Sequence, residues 1–438
     1  MKTWFVFFCV LILGQLLYPF LTVLWATFRR DRGSFGSYVV TDGDIDDVTQ
    51  LESVPHRQNP NQHNLPNTPH FACVITAYQN IAIAQPLVAA LLAQTYRNRT
   101  IYLVADECPD WDGEYSDPDF VLLRPEKPLR LKAKSLRYAL EHFQKPPDFV
   151  LVLDADNLTH PDFLTALVPY IQAGFVCVQG QRTAKNLDTT YAALDSLGEH
   201  YKNYIEREVP FRLGGSAVIS GSGMATETGL FTDYLHSPAI AFGQTKGKKM
   251  LQEDKILQNF LLQKGQRIAY AREALVFDGK VATGAAVTTQ RSRWLYSYFQ
   301  NIPNALSLLK KGIIGLNFNQ LYFAGVTLAL PMFVQALLAF GLLVAGFWIA
   351  PIWSLILFLG GLVFVFNLLW VLHLDQAPPE VWRALWQAPK FVFRQILGLL
   401  KMRDPQKNFK HTEHQKTWTI QEILPNSDEF NRSKKGDG

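Results

Sequence analysis

Two long stretches without a charged side chain limit the folds open to this chain of 438 residues. Residues 4–28 form the first stretch and residues 312–372 the second. About 20 apolar residues in a helix cross the hydrocarbon core of a membrane, so the first stretch can cross once and the second twice, with a break near Ala350 and Pro351. A cleaved signal peptide is the alternative for the first stretch, but its apolar part is too long and no small-residue cleavage site precedes Arg29. The sequence therefore predicts three membrane-spanning helices.

The positions of the cations predict an orientation. They follow the first span (Arg29, Arg30, Arg32), precede the second (Lys310, Lys311) and follow the third (Arg383, Lys390, Arg394). Because Lys and Arg accumulate in cytoplasmic loops, we expect an outward N-terminus, a cytoplasmic middle region and an integral protein of the plasma (inner) membrane. The net charge of +4 then reflects orientation. A basic–aromatic pattern for nucleic acid is missing, so we expect no nucleic-acid partner.

Residues 70–300 alternate between short apolar runs and segments with helical spacing. Three runs, at residues 71–77, 101–105 and 149–153, predict buried strands, and residues 82–93 and 131–143 predict helices between them. Continuous apolar strands alternating with helices indicate an α/β domain with a mostly parallel sheet. Ligands bind beyond the carboxyl ends of such strands, where Asn80, Asp106 and Asp154 are placed.

The flanking regions differ in composition. Residues 33–69 are polar and rich in turn formers, which predicts a linker. Residues 382–402 mix Trp and Phe with Arg and Lys, which predicts an amphipathic helix lying in the membrane interface, and residues 301–311 predict a similar helix. The predicted division is 1–32 (first span and basic flank), 33–69 (linker), 70–300 (α/β domain), 301–375 (interface helix and two spans) and 376–438 (interface helix and cytoplasmic tail).

Two carboxylates at the end of the third predicted strand form the sharpest local feature. Asp154 and Asp156 are separated by one residue, which gives oxygen ligands for a hard divalent cation, Mg²⁺ or Mn²⁺. Such a cation neutralises charge on a leaving diphosphate. A solvated pair of Asp residues is the alternative, and the spacing alone does not decide between them.

Three further elements follow along the chain, and each has a structural alternative. Glu253 and Asp254 begin a predicted helix, where carboxylates are often dipole partners. Gln290, Arg293 and Trp294 combine a diphosphate-binding guanidinium with a flat indole, although an interfacial anchor has the same composition. The loop at Gly221, Ser222 and Gly223 permits close backbone approach or only a turn.

Taken in order, these elements resemble the membrane-type family 2 glycosyltransferases, which include cellulose, hyaluronan and chitin synthases and ceramide glucosyltransferases. The ordered set comprises Tyr78, Asp106, the Asp154–Asp156 pair, Asp254 and the motif from Gln290 to Trp294, and it ends at a membrane span. The resemblance implies a GT-A type nucleotide-sugar-binding domain. Two positions depart from the family pattern: Glu107 stands where a second Asp is common, and Gln252 where Thr is usual.

The resemblance also implies residue roles. Asp254 would be the catalytic base, and Asp156 and Asp154 the metal ligands. The donor would be held by Tyr78, Asp106, Lys132, Asp154 and Arg293. The acceptor side would comprise Gly221, Ser222, Gly223, Gln290 and Trp294.

The expected reaction is an inverting transfer from a nucleotide-diphosphate sugar, such as a UDP-sugar, that forms a beta linkage. A growing extracellular polysaccharide is the first acceptor hypothesis, and three spans are few for a channel, so export would need a homo-oligomer or a partner. A lipid-linked acceptor that receives one sugar is the alternative. A non-catalytic membrane scaffold would be expected to have lost carboxylates or Arg293, and a transporter would be expected to carry intramembrane charge; neither expectation fits the sequence.

Overall fold

The computed structural model describes residues 2–28, 66–109, 117–240, 253–400 and 418–424. Most of the predicted linker and Gln252 lie outside these residues. The helices are α1 (Lys2–Phe28), α2 (Gln85–Leu92), α3 (Lys132–Glu141), α4 (Phe163–Gln172), α5 (Thr190–Lys202), α6 (Val209–Arg212), α7 (Thr228–Leu235), α8 (Glu253–Gln263), α9 (Gly284–Ile314), α10 (Phe318–Leu328), α11 (Met332–Ile349), α12 (Pro351–Leu374), α13 (Pro379–Ala384), α14 (Ala388–Leu400) and α15 (Ile420–Ile423).

An eight-stranded sheet organises the α/β domain. Its strands are β1 (Phe71–Tyr78), β2 (Arg99–Asp106), β3 (Phe120–Leu123), β4 (Phe149–Asp154), β5 (Leu158–Thr159), β6 (Cys177–Ala184), β7 (Met224–Glu227) and β8 (Ile268–Asp278). Their order in the sheet is β3-β2-β1-β4-β7-β6-β8-β5. The first four strands are parallel, β7 is antiparallel to both of its neighbours, and β5 pairs antiparallel with β8 at one edge. The predicted α/β fold with a mostly parallel sheet is confirmed.

Alternate side chains of β1 are buried on opposite faces of the sheet. Phe71 and Ile75 join a core that includes Leu87 of α2 and Leu167 of α4. Ala72 and Val74 join a second core, which α3, α7 and α8 cover. Burial on both faces explains why the strands are continuous apolar runs rather than alternating ones.

Three helices, α1, α11 and α12, are long and apolar enough to cross a membrane, in agreement with the predicted number of spans among the described residues. The predicted break is present, because α11 ends at Ile349 and Pro351 begins α12. Phe5 of α1 packs near Ala350, whereas Val23 packs near Tyr201 of α5. The N-terminus and the turn between α11 and α12 therefore lie at one end of the bundle, and the α/β domain lies at the other.

The second apolar stretch does not lie entirely in the spans. Its residues 318–328 form α10, where Phe323 and Ala324 are fully buried in the core of the α/β domain. Residues 301–311 are not a separate helix, since α9 continues through Pro303 to Ile314. The described part of the predicted amphipathic helix at residues 382–402, which extends to Leu400, is divided between α13, a 3₁₀ turn and α14.

A buried carboxylate attaches the end of α12 to the α/β domain. Asp375 Oδ2 lies 2.7 Å from His200 Nδ1 of α5, and its Oδ1 lies 3.6 Å from the Arg272 guanidinium of β8. Asp375 and His200 are both buried. Together these contacts fix the last of the three long apolar helices relative to the sheet.

Candidate active site

The carboxyl ends of β2, β1 and β4 lie side by side at one edge of the sheet. In the strand register, Tyr78 is opposite Asp106, and Thr76 is opposite Asp154. The first three predicted donor-side elements are thus adjacent in space. Adjacent parallel strands bring their carboxyl ends together, which is where an open α/β sheet binds ligands.

Lys132, the first residue of α3, connects two parts of this region. Its Nζ donates hydrogen bonds to Asp154 Oδ1 at 2.5 Å and to the Gly221 carbonyl oxygen at 2.9 Å. Burial disfavours the charged ammonium, but the carboxylates of Asp154, Glu253 and Asp254 outweigh it and raise the pKa of Lys132. Lys132 is therefore a cation held among carboxylates where these elements meet.

Gly221 also brings Asp254 into the same cleft. A Cβ atom at Gly221 would lie 3.6 Å from Asp254 Oδ2, and the φ angle of +80° at this position favours glycine. Asp254 lies in the first turn of α8, where its Oδ1 accepts a hydrogen bond from the Lys255 amide at 2.8 Å. Asp154, Lys132, Gly221 and Asp254 thus form one continuous set of neighbours, although more than 120 residues separate the outermost pair along the chain.

Asn157 holds the turn that follows β4. Its Oδ1 accepts hydrogen bonds from the Asp154 amide at 3.1 Å and from the Ser222 hydroxyl, and its side chain is buried. Ser222 is directed toward this turn, because its Oγ also accepts from the Asp154 amide at 3.2 Å. Gly223 permits the close approach, since a Cβ there would lie 2.7 Å from Val276 Cγ2. The predicted acceptor-side loop and the Asp154–Asp156 turn are therefore joined.

Asp154 and Asp156 are suited to an open divalent-cation site rather than a closed one. Among the described residues, three or more His, Cys, Asp or Glu side chains do not converge on one point to enclose a metal. Mg²⁺ is commonly bound by one or two carboxylates together with substrate phosphates. The Lys132 ammonium donates a hydrogen bond to one of the carboxylate oxygens, Asp154 Oδ1. The donor set at this turn fits a cation whose remaining ligands come from the substrate.

Arg293 lies close enough to α8 for its charge to interact with Glu253. Burial lowers the pKa of Arg293, and the Glu253 carboxylate opposes this effect. Burial of Glu253 raises the pKa of its carboxyl group. The charge of Lys132 lowers this pKa, and the carboxylate of Asp254 raises it further. Helices α8 and α9 are also joined by a hydrogen bond at 3.1 Å from Asn259 Nδ2 to Asn301 Oδ1. Arg293 therefore belongs to the electrostatic environment of the cleft.

Trp294 lies beside two cations. Lys202 Nζ is 4.5 Å from the centroid of its ring and Arg291 Cζ is 4.4 Å from it, distances at which a cation and an aromatic ring attract. Arg291 forms an ion pair with Asp195 of α5. Gln290 Oε1 is buried and has no hydrogen-bond partner within the described part of the chain. The indole of the predicted acceptor-side motif is therefore flanked by two cations.

Three residues with positive φ lie together at the ends of β1 and β2. Gln79, Glu107 and Arg130 have φ angles of +60°, +51° and +53°. Asp106 holds this region, since its carboxylate accepts hydrogen bonds from the amides of Leu129 at 2.9 Å and Arg130 at 2.6 Å. Backbone strain of this kind is concentrated at ligand sites.

Tyr78 and the Arg130–Glu107 ion pair border the same region. Arg130 Nε donates to Glu107 Oε2 at 2.7 Å, and burial together with a hydrogen bond to Glu107 raises the pKa of Tyr78. Contact of Tyr78 and Asp106 with a nucleoside stays a prediction.

Sequence reasoning missed two groups near the site. Asn157 follows Asp156 directly, but its type alone does not reveal a role. Arg182 of β6 donates a hydrogen bond to the Ser220 carbonyl at 3.1 Å and forms an ion pair with Asp278. Behind it, Glu199 binds both Arg207, at 2.9 Å, and Lys280, at 3.4 Å. These residues come from distant parts of the chain and have no common local pattern.

Comparisons with known proteins agree with this fold. A family model for glycosyltransferase-like family 2 matches residues 68–297, more than half of the chain. A search of curated proteins found no match. Among solved structures, the mannosyltransferase PcManGT from Pyrobaculum calidifontis, in complex with GDP-Man and Mn²⁺, aligns over 92% of this chain and 100% of its own with 13% identity and a TM-score of 0.50. At that identity the likeness concerns the fold alone.

Two structures of S. aureus TarS align less well. The first covers 55% of this chain and 40% of the TarS chain with 13% identity and a TM-score of 0.36. A fragment spanning residues 1–349 in complex with UDP covers 55% and 65%, with 12% identity and a TM-score of 0.34. The narrower resemblance to cellulose, hyaluronan and chitin synthases stays a prediction. The family match and the GT-A-like α/β domain with its apolar helices lead to one conclusion: this chain belongs to the family 2-like glycosyltransferases, which transfer sugars from nucleotide-sugar donors.

Proposed function

We propose that this protein is an inverting glycosyltransferase that moves one sugar from a nucleotide-diphosphate donor, such as a UDP-sugar, to a hydroxyl on a lipid-borne acceptor. The observation that carries the proposal is the continuous set formed by Asp154, Lys132, Gly221 and Asp254. It places a candidate base and a candidate diphosphate-binding cation on either side of one glycine.

The proposed reaction is a single displacement. Asp254 accepts the proton of the acceptor hydroxyl as general base, and that oxygen attacks the anomeric carbon of the donor. The bond from the anomeric carbon to the diphosphate breaks as the new bond forms, so the configuration inverts and an alpha-linked donor gives a beta linkage. Lys132 and Arg293 stabilise the charge on the departing nucleoside diphosphate.

Asp156, with Asp154 beside it, would hold the divalent cation. Mg²⁺ or Mn²⁺ bound there would neutralise charge on the diphosphate as it leaves. Asn157 and Ser222 keep the turn in position through the hydrogen bonds described above. Their contribution is to orient the carboxylates before the donor binds.

The acceptor is proposed to be lipid-borne because α9 carries both the predicted acceptor-side motif and a row of exposed apolar side chains suited to a membrane surface. Gln290 and Trp294 lie in its first half, and exposed apolar side chains follow in the same helix at Phe299, Leu306, Ile313 and Ile314. Phe299 is five residues beyond Trp294, about 7.5 Å along a helix. A hydroxyl at the membrane surface would therefore need to move little to reach the cleft.

A growing extracellular polysaccharide is the second candidate acceptor. The three spans are in direct contact, since a Cβ at Gly360 would lie 2.5 Å from Leu13 Cδ1 and one at Gly346 would lie 3.0 Å from Phe5 Cζ. Such packing leaves little space for a sugar chain between these helices. Export of a polymer would therefore require an oligomer or a partner protein.

We also propose the orientation predicted from the cations. In this orientation the α/β domain lies in the cytoplasm and the apolar helices cross the plasma (inner) membrane.

A donor screen followed by product analysis tests the proposal. Purified protein in lipid nanodiscs is incubated with single UDP- and GDP-sugars, with and without Mn²⁺, and release of nucleoside diphosphate is measured. The productive donor is then supplied in labelled form with membrane lipids. We expect one labelled sugar on a product that partitions into organic solvent. A water-soluble product of high mass would favour the polysaccharide acceptor, and no diphosphate release with any donor would contradict the proposal.

A further inference from the structure

The segment of residues 418–424, termed here the C-terminal strap, lies against the α/β domain although it follows the last membrane helix by more than 40 residues. Its apolar side chains pack on Ala90, Leu158 and Phe277, all of which are buried. Those side chains are Trp418, Ile420, Ile423 and Leu424. A capping box fixes its short helix, because the Thr419 amide donates to Glu422 Oε2 at 2.7 Å.

The strap packs on β5, the strand at one edge of the sheet. Strand β5 has only two residues and is last in the strand order, so it pairs on one side, with β8. In that pairing Leu158 is opposite Phe277, and both side chains contact the strap cluster. An edge strand this short depends on side-chain packing to keep its position.

Leu158 leads directly to the turn that carries the carboxylates. It follows Asn157, whose Oδ1 accepts hydrogen bonds from the Asp154 amide at 3.1 Å and from the Ser222 hydroxyl. A shift of Leu158 would therefore also move Asn157. The side-chain amide of Asn157 joins the Asp154–Asp156 turn to the loop at Gly221. Leu158 and the apolar side chains of the strap belong to one hydrophobic cluster.

We propose that the C-terminal strap is a positioning element for the Asp154–Asp156 turn, so that its packing on Leu158 sets how tightly that turn holds a divalent cation and the donor diphosphate. The proposal rests on the proposed function for the identity of the ligand. Residues that orient metal ligands from outside the first coordination sphere typically change metal affinity by about 10–100-fold. Since the strap acts through Leu158 and Asn157, we expect its effect at the lower end of that range.

Variants of the full-length protein test this role. Trp418→Ala and Ile423→Ala remove packing on β5, Trp418→Phe retains most of it, and Gln421→Ala alters an exposed residue of the same helix as the matched control. Binding of Mn²⁺ is measured by electron paramagnetic resonance in the presence of UDP or GDP. Hydrogen exchange of residues 154–159, the melting temperature and the dependence of transfer on Mn²⁺ concentration are measured in parallel.

We expect Trp418→Ala and Ile423→Ala to weaken Mn²⁺ binding by about tenfold and to increase exchange of residues 154–159, with kcat at saturating Mn²⁺ retained. Trp418→Phe should retain an Mn²⁺ affinity close to that of the wild-type protein, and Gln421→Ala should match the wild-type protein. Unchanged Mn²⁺ affinity in both alanine variants would overturn the proposal, as would a general rise in exchange with a lower melting temperature. If the wild-type protein binds Mn²⁺ and nucleotide but transfers no sugar, the proposed function fails, while the affinities still decide the role of the strap.

Discussion

The Lys132 ammonium lies 2.5 Å from Asp154 Oδ1 and donates a second hydrogen bond to the Gly221 carbonyl at 2.9 Å. One side chain therefore connects the carboxylate turn after β4 with the loop that contacts Asp254. A diphosphate that enters the cleft would meet a cation already held in position, which lowers the reorganisation needed in the transition state.

Replacing Lys132 should reduce transfer strongly without unfolding the domain. Lys132→Met preserves much of the side-chain volume but removes the charge that stabilises the leaving diphosphate, so we expect kcat/KM to fall by about 100-fold or more. Lys134→Met, two residues later on the exposed side of α3, is the matched control and should retain wild-type activity. Steady-state kinetics check this, and equal losses in the two variants would contradict the role of Lys132.

Gly221→Ala should damage the acceptor side of the cleft. The φ angle of +80° adds a backbone cost of about 1–2 kcal/mol for alanine, so the loop that accepts the Lys132 hydrogen bond should shift beside Asp254. The new methyl group itself would make only an ordinary contact, 3.6 Å from Asp254 Oδ2. Gly214→Ala is a control with the same kind of backbone penalty, because Gly214 has φ +91° and a Cβ there meets nothing within 4 Å. Thermal stability should fall in both variants, and kcat only in Gly221→Ala; unchanged kcat in Gly221→Ala would show that the loop tolerates the methyl group.

Removal of the metal or of Asp156 should abolish the metal-dependent part of donor binding. Chelation of Mn²⁺ should weaken binding of the nucleotide sugar to the wild-type protein, whereas Asp156→Ala should bind it equally weakly with or without Mn²⁺ because its direct ligand is missing. Calorimetric titration with donor measures both effects. Glu141→Ala, which changes an exposed carboxylate at the end of α3 opposite to Lys132, should behave as wild type. Metal-dependent binding that survives in Asp156→Ala would exclude this residue as the ligand.

Lys202 should make stability depend on pH. Burial lowers the pKa of Lys202 to about 8, although Glu206 and Glu199 oppose the shift. In the unfolded chain the pKa of a lysine is about 10.4. Between these pH values the unfolded chain binds the proton that the folded chain has lost, so the stability contributed by Lys202 rises with pH, by roughly 3 kcal/mol in all.

The comparison with Lys202→Met isolates this effect. The melting temperature of the wild-type protein minus that of the variant should be constant below about pH 7 and should become more positive from about pH 8 to pH 10. Parallel pH profiles for the two proteins would show that Lys202 titrates normally despite its position beside Trp294.

Local patterns were sufficient to predict three of the eight described strands, β1, β2 and β4, and the break between the second and third apolar spans. Strands buried on both faces, such as β1 and β4, must be continuously apolar, and Pro351 cannot donate a hydrogen bond to a preceding helix. The convergence of Asp106 and Asp154 follows from parallel pairing with β1. These features depend on short segments and on one rule of sheet topology, so the sequence contains the information for them.

Features that depend on tertiary contacts could not be predicted. The apolar residues of α10 have the composition of a span, and only the packing of Phe323 into the α/β core shows that the helix lies in the protein. Helix α9 continues through Pro303, where a local rule ends a helix. Asn157, Arg182 and the C-terminal strap become relevant through neighbours that are distant in the chain. Residue type alone gives no signal for such positions.

The Asp254→Asn variant tests the proposed mechanism most directly, when its transfer rate and its donor affinity are both measured. Asparagine keeps an oxygen that can accept the hydrogen bond from the Lys255 amide, so the start of α8 should be preserved while the base is lost. We predict that the variant binds the nucleotide sugar and Mn²⁺ as wild type does, and that transfer falls by about 10²–10⁴-fold. Transfer at a rate close to that of the wild-type protein would contradict the assignment of Asp254 and, with it, the proposed mechanism.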